Sequence, residues 1–388
     1  MEENMIDLSK ENCCGCRNCE NLCPVEAIKM HKDEKGFLYP ELDYTKCINC
    51  NICNNVCPIQ APITLNNVKK VIAFQNNNNS DLKESTSGGA FSALSDIIIE
   101  ENGSVFGTIM DAFRAYFIET DEIKIRNKMR GSKYIQSDTN QIFYQVFLCL
   151  GKGKKVLFIG TPCQVSALYK YLKYKHCNYA DLLITIDFIC HGVQSDLIIK
   201  EHVKYLEKRY KKKIIDYKFR PKTYGWNSSE EIRFKDGSLK SGFWISCCQD
   251  FFYKNISLRD SCYKCKYTCK TRCSDITIGD FWDHNNYIDK DLKLSKGLSI
   301  VMINTDLGKK YLNILEQKGV TVNINNYNYN QEALNRPAIQ NKDYADFWKD
   351  FLLKEYNTVL NKYSDLSLKR RIKFNVKLYL KRITRGKI

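Results

Sequence analysis

The chain has 388 residues, 44% hydrophobic and 27% charged, with 19 cysteines and a formal net charge of +16. That length and balance support two or three domains with a sizeable core, and no apolar run approaches the ~18 residues of a membrane span. The acidic opening MEENMIDLSK has no apolar signal core, so a cytoplasmic protein is expected, in which 19 thiols exclude a disulfide framework and point to metal ligation.

Residues 1–66 form a cysteine-rich block with an internal repeat. Cys13, Cys16, Cys19 and Cys23 before Pro24 read C-x2-C-x2-C-x3-C-P, and Cys47, Cys50, Cys53 and Cys57 before Pro58 repeat it. Soft thiolates suit iron in both oxidation states, and two-residue gaps let one tight loop wrap three corners of a cubane. In bacterial ferredoxins of this pattern the fourth cysteine serves the other cluster. One [4Fe-4S] cluster is therefore assigned to Cys13, Cys16, Cys19 and Cys57, the second to Cys47, Cys50, Cys53 and Cys23. Cys14 falls outside the pattern and is expected to be a packed thiol. A zinc site would instead need two ligand pairs divided by a spacer.

Next comes QNNNNSDLKEST (75–86), polar and without apolar periodicity, expected to be a loop. Phe91, Leu94, Ile97 and Ile98 then mark one face of a helix that Gly103 ends. Residues 155–160 and 182–190 read as buried strands, each followed by a helical pattern, the second N-capped by Ser195. That alternation predicts a parallel α/β core. A hairpin is expected around Asp236-Gly237 and a further strand at 299–305, leading into a helix. Nine Lys or Arg and no acid follow Asp365. The apolar residues there fit a helical stripe and a strand alternation equally, so a packed terminal helix and a membrane-surface helix both stay open.

The other thiols pose the sharper question. Cys163 and Cys190 each follow a predicted strand, which on a parallel sheet puts them at one edge, where α/β ligand sites gather. Cys262, Cys265, Cys269 and Cys273 form a local set. A further metal site can use the local four or a mixture of near and far ligands. A phosphate cradle needs free N–H groups and cations. Ser87-Gly88-Gly89 and Gly160-Thr161 before their helices, with Arg130 and Lys133, offer them, although no G-x-G-x-x-G is present.

The blocks STSGGAFSAL, MRGSKYIQS, VLFIGTPCQV, IDFICHGVQS, CYKCKY…RCSDITIGDFW and KGLSIVMINT, in this order over residues 70–310, resemble the coenzyme F420 hydrogenase/dehydrogenase beta subunit family. The resemblance implies a ferredoxin domain (1–66), family N-terminal (67–150) and C-terminal (151–325) regions and a basic extension (326–388), hence a mixed α+β and α/β fold. It implies FAD, a third [4Fe-4S] cluster on Cys163, Cys190, Cys262 and Cys265, and a redox enzyme relaying electrons between a ferredoxin or flavodoxin and a small substrate or deazaflavin-like coenzyme. Asp283 departs from the family's glycine after Trp282. FAD is expected among Ser87, Gly88, Gly89, Arg130, Lys133, Gly160, Thr161 and Asp280, with His191 as the candidate catalytic group. The rival readings are an electron-transfer subunit of a larger oxidoreductase and a zinc-bearing nucleic-acid binder. The ferredoxin blocks weigh against the second, so no nucleic-acid partner is expected.

Overall fold

The computed structural model describes residues 9–226, 228–288, 292 and 294–385. In the cysteine-rich block the short gaps leave room for single helical turns, Asn18–Asn21 and Ile52–Asn55. Each is entered through a left-handed residue just after a cysteine, Arg17 (φ 64°) and Asn51 (φ 59°), so the sequence repeat is also a repeat of backbone. Between them β1 (Ile28–Lys32) and β2 (Leu38–Leu42) pair antiparallel. Asp33 shapes their turn by accepting the Phe37 N–H at 2.9 Å.

The rest of the chain is built on β3 (Lys70–Asn76), β4 (Ser104–Asp111), β5 (Arg114–Thr120), β6 (Ser137–Asp138), β7 (Val156–Gly160) and β8 (Leu183–Phe188). It continues with β9 (Ile214–Lys218), β10 (Glu231–Phe234), β11 (Leu239–Ser241), β12 (Ile276–Asp280), β13 (Ser299–Ile303) and β14 (Gly319–Asn323). Among the described residues the large sheet runs β14-β3-β13-β12-β8-β7-β4-β5-β6, and β11-β10-β9 form a smaller one. The hairpin around Asp236-Gly237 is the β10–β11 connection.

The large sheet is mixed, which corrects the expectation of a parallel core. Only β12-β8-β7-β4 and the β5–β6 pair run parallel. A two-residue turn, Ala112-Phe113, both at positive φ, forces β5 back against β4, as tight hairpins do. β12, β13, β3 and β14 are likewise antiparallel neighbours. Two antiparallel steps nonetheless restore the sense of β12 in β3, so the carboxyl ends of β3, β12, β8, β7 and β4 share one edge.

Both faces of the sheet are covered. Along β7, Val156 and Phe158 enter one apolar cluster with Phe143, Val165 and Leu168. Leu157 and Ile159 enter another with Leu94, Ile98 and Ile184. That double burial explains the continuous apolar run of the strand. The covering helices include α1 (Ala90–Glu100) and α2 (Pro162–Tyr174). α3 (Asp196–Tyr210) starts where the Ser195 hydroxyl accepts the Leu197 N–H at 3.2 Å. The stretch 75–86 is not wholly a loop: β3 runs to Asn76, and Asn78 caps a helix over Asn79–Glu84 by accepting from Ser80 and Asp81. The basic end is helical, α4 (Leu368–Arg385), which resolves the ambiguous period. The architecture is a ferredoxin-like block, a mixed α/β core and a helical end.

Candidate metal centres

Each half of the cysteine-rich block contributes to two cavities. The first is lined by Cys13, Cys16, Cys19 and Cys57, with Gly15, Arg17, Met30 and Pro40 among its walls. The second is lined by Cys23, Cys47, Cys50 and Cys53, walled by Val25, Ile28, Leu42 and Ile52 among others. The fourth thiol of each run thus crosses to the cavity of the other. Among the described residues no three His, Cys, Asp or Glu close on an ion-sized point. Four thiols around each of two voids, in runs spaced to wrap a cubane, fit a polynuclear group. The electrostatics agree: burial pushes the Cys19 thiol well up, and its neighbours Cys13, Cys57 and Cys53 push it further. Crowded thiols of this kind want a cationic centre among them.

The core thiols converge from distant elements. Cys163 lies in the first turn of α2, Cys190 follows β8, and Cys262 and Cys265 lie in and just after the single turn Asp260–Lys264. Burial raises Cys190 most, followed by Cys262, Cys163 and Cys265 as charged neighbours. Burial and then Cys265 push Cys262 up to about 12. Burial and then Cys163 push Cys265 up to about 11. Cys273 is buried and donates to the Pro162 carbonyl (3.2 Å) and to Asp187 (3.5 Å). Cys269 donates to the Thr271 carbonyl at 3.1 Å. Cys163, Cys190, Cys262 and Cys265 thus influence one another, with Cys269 also felt at Cys265 and Cys163 at Cys273.

Cys14 is more than filler. Its thiol contacts Cys16, which raises it most, and Cys163, which pulls it down. It joins the wall of the first cavity to the core thiols. Beside it lies Arg259, 1% exposed. Its Nε donates to the Cys13 carbonyl (2.7 Å), one Nη to Gln136 (3.0 Å), and the other to the Leu38 carbonyl (2.7 Å) and toward Cys13 Sγ (3.4 Å). Its charge is also felt by Cys14 and Cys262.

The residues proposed for a dinucleotide lie near the same carboxyl edge, and several have protein partners. The Gly88 N–H donates to Ser299 Oγ at 2.8 Å, and a Cβ there would meet the Phe74 carbonyl at 2.0 Å. That glycine is required by sheet packing. Gly89 (φ 83°) is the left-handed N-cap of α1, and Ser87 donates to the Leu298 carbonyl at 2.6 Å. Gly160 ends β7, and the Thr161 N–H donates to Gln164 at 2.9 Å, opening α2. Arg130 pairs with Asp81 at 2.5 Å. Asp280 accepts from Arg220 and from Trp226 Nε1 (2.9 Å). His191 Nε2 is 2.7 Å from Asn255 Oδ1, its ring beside Phe252.

Two lysines stand apart. Lys133 donates to the Met129 and Arg130 carbonyls, and Lys222 to those of Leu82 and Ser87. Neither meets a carboxylate among the described residues, and burial lowers both ammonium groups to about 7. The 130–133 loop docks on the glycine turn through Ser132 N–H to Thr86 Oγ1 (3.0 Å). Lys222 thus lies against the glycine turn, and the loop that carries Lys133 docks beside it.

Residues 12–61 match the model of the 4Fe-4S dicluster domain. Residues 153–326 match the model of the C terminus of the coenzyme F420 hydrogenase/dehydrogenase beta subunit. Residues 153–326 thus carry the C-terminal domain of that beta subunit family, behind a dicluster ferredoxin domain. No curated protein matches it in sequence. Among solved structures it is similar to a chain of the F420-reducing [NiFe] hydrogenase complex from Methanosarcina barkeri. The identity is 15% and the TM-score 0.46, covering 79% of this chain and 95% of that one.

Sequence reasoning singled out the cysteine runs and missed their surroundings. Arg259 sits in SLRDSC, with nothing nearby to mark it. Lys222 and Arg220 lie in FRPKTYGW, a basic and aromatic run between strands that could have been singled out. There Arg220 lies 5.0 Å over the Trp282 ring, and Trp282 stacks on Trp226 at 4.9 Å.

Proposed function

We propose that the chain is an iron-sulfur flavoprotein oxidoreductase whose three thiol sets form one electron path. Cys23, Cys47, Cys50 and Cys53 would hold the outer cluster, Cys13, Cys16, Cys19 and Cys57 the inner one, and Cys163, Cys190, Cys262 and Cys265 a third. The observation that supports this reading most is that Cys14, in the wall of the first cavity, and Cys163 shift one another electrostatically. FAD is proposed at the carboxyl edge, with Lys133 and Lys222 facing its phosphates beside Ser87-Gly88-Gly89, Gly160 and Thr161. When bound, the clusters supply one-electron traffic and the flavin the two-electron step on a small substrate or deazaflavin-like coenzyme. Arg259 screens the charge of the neighbouring thiolates, and burial of Cys16 and Cys19 keeps water from the first set. His191 is proposed to hold or deliver a proton at Nε2, oriented by Asn255.

The test is anaerobic purification with iron, sulfide and flavin assay. About twelve irons and one FAD per chain are expected, falling to about eight irons in Cys163→Ala and in Cys265→Ala with FAD mostly kept. Unchanged iron in both variants would return the third site to Cys269 and Cys273. A second reading, an electron-transfer subunit without a substrate of its own, is favoured by the match to a beta subunit model. It predicts that the lone chain reduces no soluble acceptor at a flavin-limited rate.

A further inference from the structure

The terminal helix α4 has two apolar faces, and the body of the protein uses one. On the inner side Phe374 meets Phe243 edge to face at 5.7 Å and Leu378 is buried. Arg370 pairs with Asp250, its second nitrogen at 2.5 Å, and the Arg371 guanidinium lies 5.0 Å over Trp244. These contacts fix the rotation of the helix. At 100° per residue the opposite side carries Leu368, Ile372, Val376, Tyr379 and Ile383, exposed by 66, 55, 50, 62 and 48%. The last four fall within an arc of about 60°. Lys369, Lys373 and Lys377 each follow an apolar residue by one position and line one flank of the stripe, while Arg371 and Arg382 border the other side with their guanidinium groups over Trp244 and Tyr224.

We propose that this outward face of α4 docks the protein on an anionic lipid bilayer, lying flat in the headgroup layer. Charge selects the occupant. Two copies of the face would bring like-charged flanks together, whereas acidic headgroups meet both flanks at once. The form fits as well: about 27 Å of helix offers a narrow, open stripe, with lysine stems able to lie along it and hold their ammonium groups at headgroup level. The helix lies on the surface rather than crossing it, because no described helix is long and apolar enough to span a membrane. Much of the positive charge surplus thus has a place and a use unrelated to nucleic acid.

The experiment is sedimentation of the full chain with vesicles of phosphatidylcholine, alone or mixed with phosphatidylglycerol, at about 0.05 and 0.5 M salt. Binding to the anionic vesicles is expected at least about tenfold above the neutral ones, weakening with salt. The Ile372→Asp/Val376→Asp/Ile383→Asp variant should lose it. The Lys369→Gln/Lys373→Gln/Lys377→Gln variant, which keeps the stripe, should bind about tenfold more weakly. Visible absorbance of the cysteine-bound chromophore reports that each variant is folded. Equal binding to both lipids, no binding, or triple-Asp binding like the parent would overturn the proposal. So would a dimer that forms in lipid-free solution and is lost in the triple-Asp variant, which would assign the face to a second copy. Retention of vesicle binding only when an acidic protein is added would assign it to that protein instead.

Discussion

Arg259 sets the electrostatics between the thiol sets, because a guanidinium held in low dielectric beside Cys13, Cys14 and Cys262 favours whichever state carries more negative charge. Arg259→Gln should therefore lower the midpoint potential of the nearest centre by about 60 mV, a tenfold weaker electron affinity. A redox titration followed by EPR reads it, and Arg259→Lys should recover part of the shift. His202 gives a second test. It is fully buried, with Nε2 3.0 Å from the Ile245 carbonyl and Nδ1 3.0 Å from the Tyr356 hydroxyl. A neutral ring that donates to the carbonyl and accepts from the phenol satisfies both contacts, and burial lowers its pKa to about 4. The unfolded chain then binds the extra proton between about pH 6.5 and 4, so this contribution to stability is present above that window and lost as pH falls through it. The full loss is about 3 kcal/mol. Denaturant unfolding of parent and His202→Gln across this range should show a steeper acid decline in the parent. The cysteines that line the two cavities were legible at this scale because they recur at one regular spacing. Arg259 was not, because its partner Cys13 lies 246 residues away along the chain and no local pattern encodes such a contact.

Among the elements, the turn before α1 shows a glycine answering a demand that the sequence pattern did not reveal. A glycine is needed at 88, and the sheet demands it: a Cβ there would stand 2.0 Å from the Phe74 carbonyl and 2.5 Å from the Ser299 nitrogen. Gly88→Ala should cost about 3 kcal/mol and lower the melting temperature whether or not flavin is present. Gly151, at the end of the helix Ile142–Gly151, has open space where its Cβ would be. Gly151→Ala should be neutral or stabilising by up to about 1 kcal/mol, measured by the same melt. Strands β7 and β8 were legible because burial on both faces writes an unbroken apolar run. Their antiparallel neighbours were not distinguishable from parallel ones, since strand direction depends on connections such as Ala112-Phe113, whose positive φ values no glycine announces. The Asn79–Glu84 helix escaped notice because it stands on a side-chain cap rather than an apolar face.

Over the whole molecule the cysteine-rich block is bound to the core rather than tethered to it. Arg17 forms ion pairs with Asp138 (2.6 Å) and Glu20 (2.5 Å), and Lys32 pairs with Asp196 at 2.9 Å. The buried Asn18 amide donates to both the Val56 and Ala167 carbonyls at 3.0 and 2.8 Å. Asn18→Leu would strand those carbonyls and should loosen the docking, seen as faster amide exchange at 56 and 167 with far-UV dichroism unchanged. The family and the general architecture could be read from spaced motifs, while this docking could not, because it is written in single polar residues scattered over both parts. The second thiol cavity opens at the other end of the block. Cys50 is exposed, and Tyr44 and Ile48 beside it are 64 and 59% exposed, while two ion pairs of the same block, Lys46 with Asp43 and Lys29 with Glu26, bring no net charge. For the carrier proposed above, an opening of this kind on a strongly cationic protein would separate encounter from attraction. The rate at which an external carrier exchanges electrons there should change little with ionic strength, even though the protein as a whole behaves as a polycation.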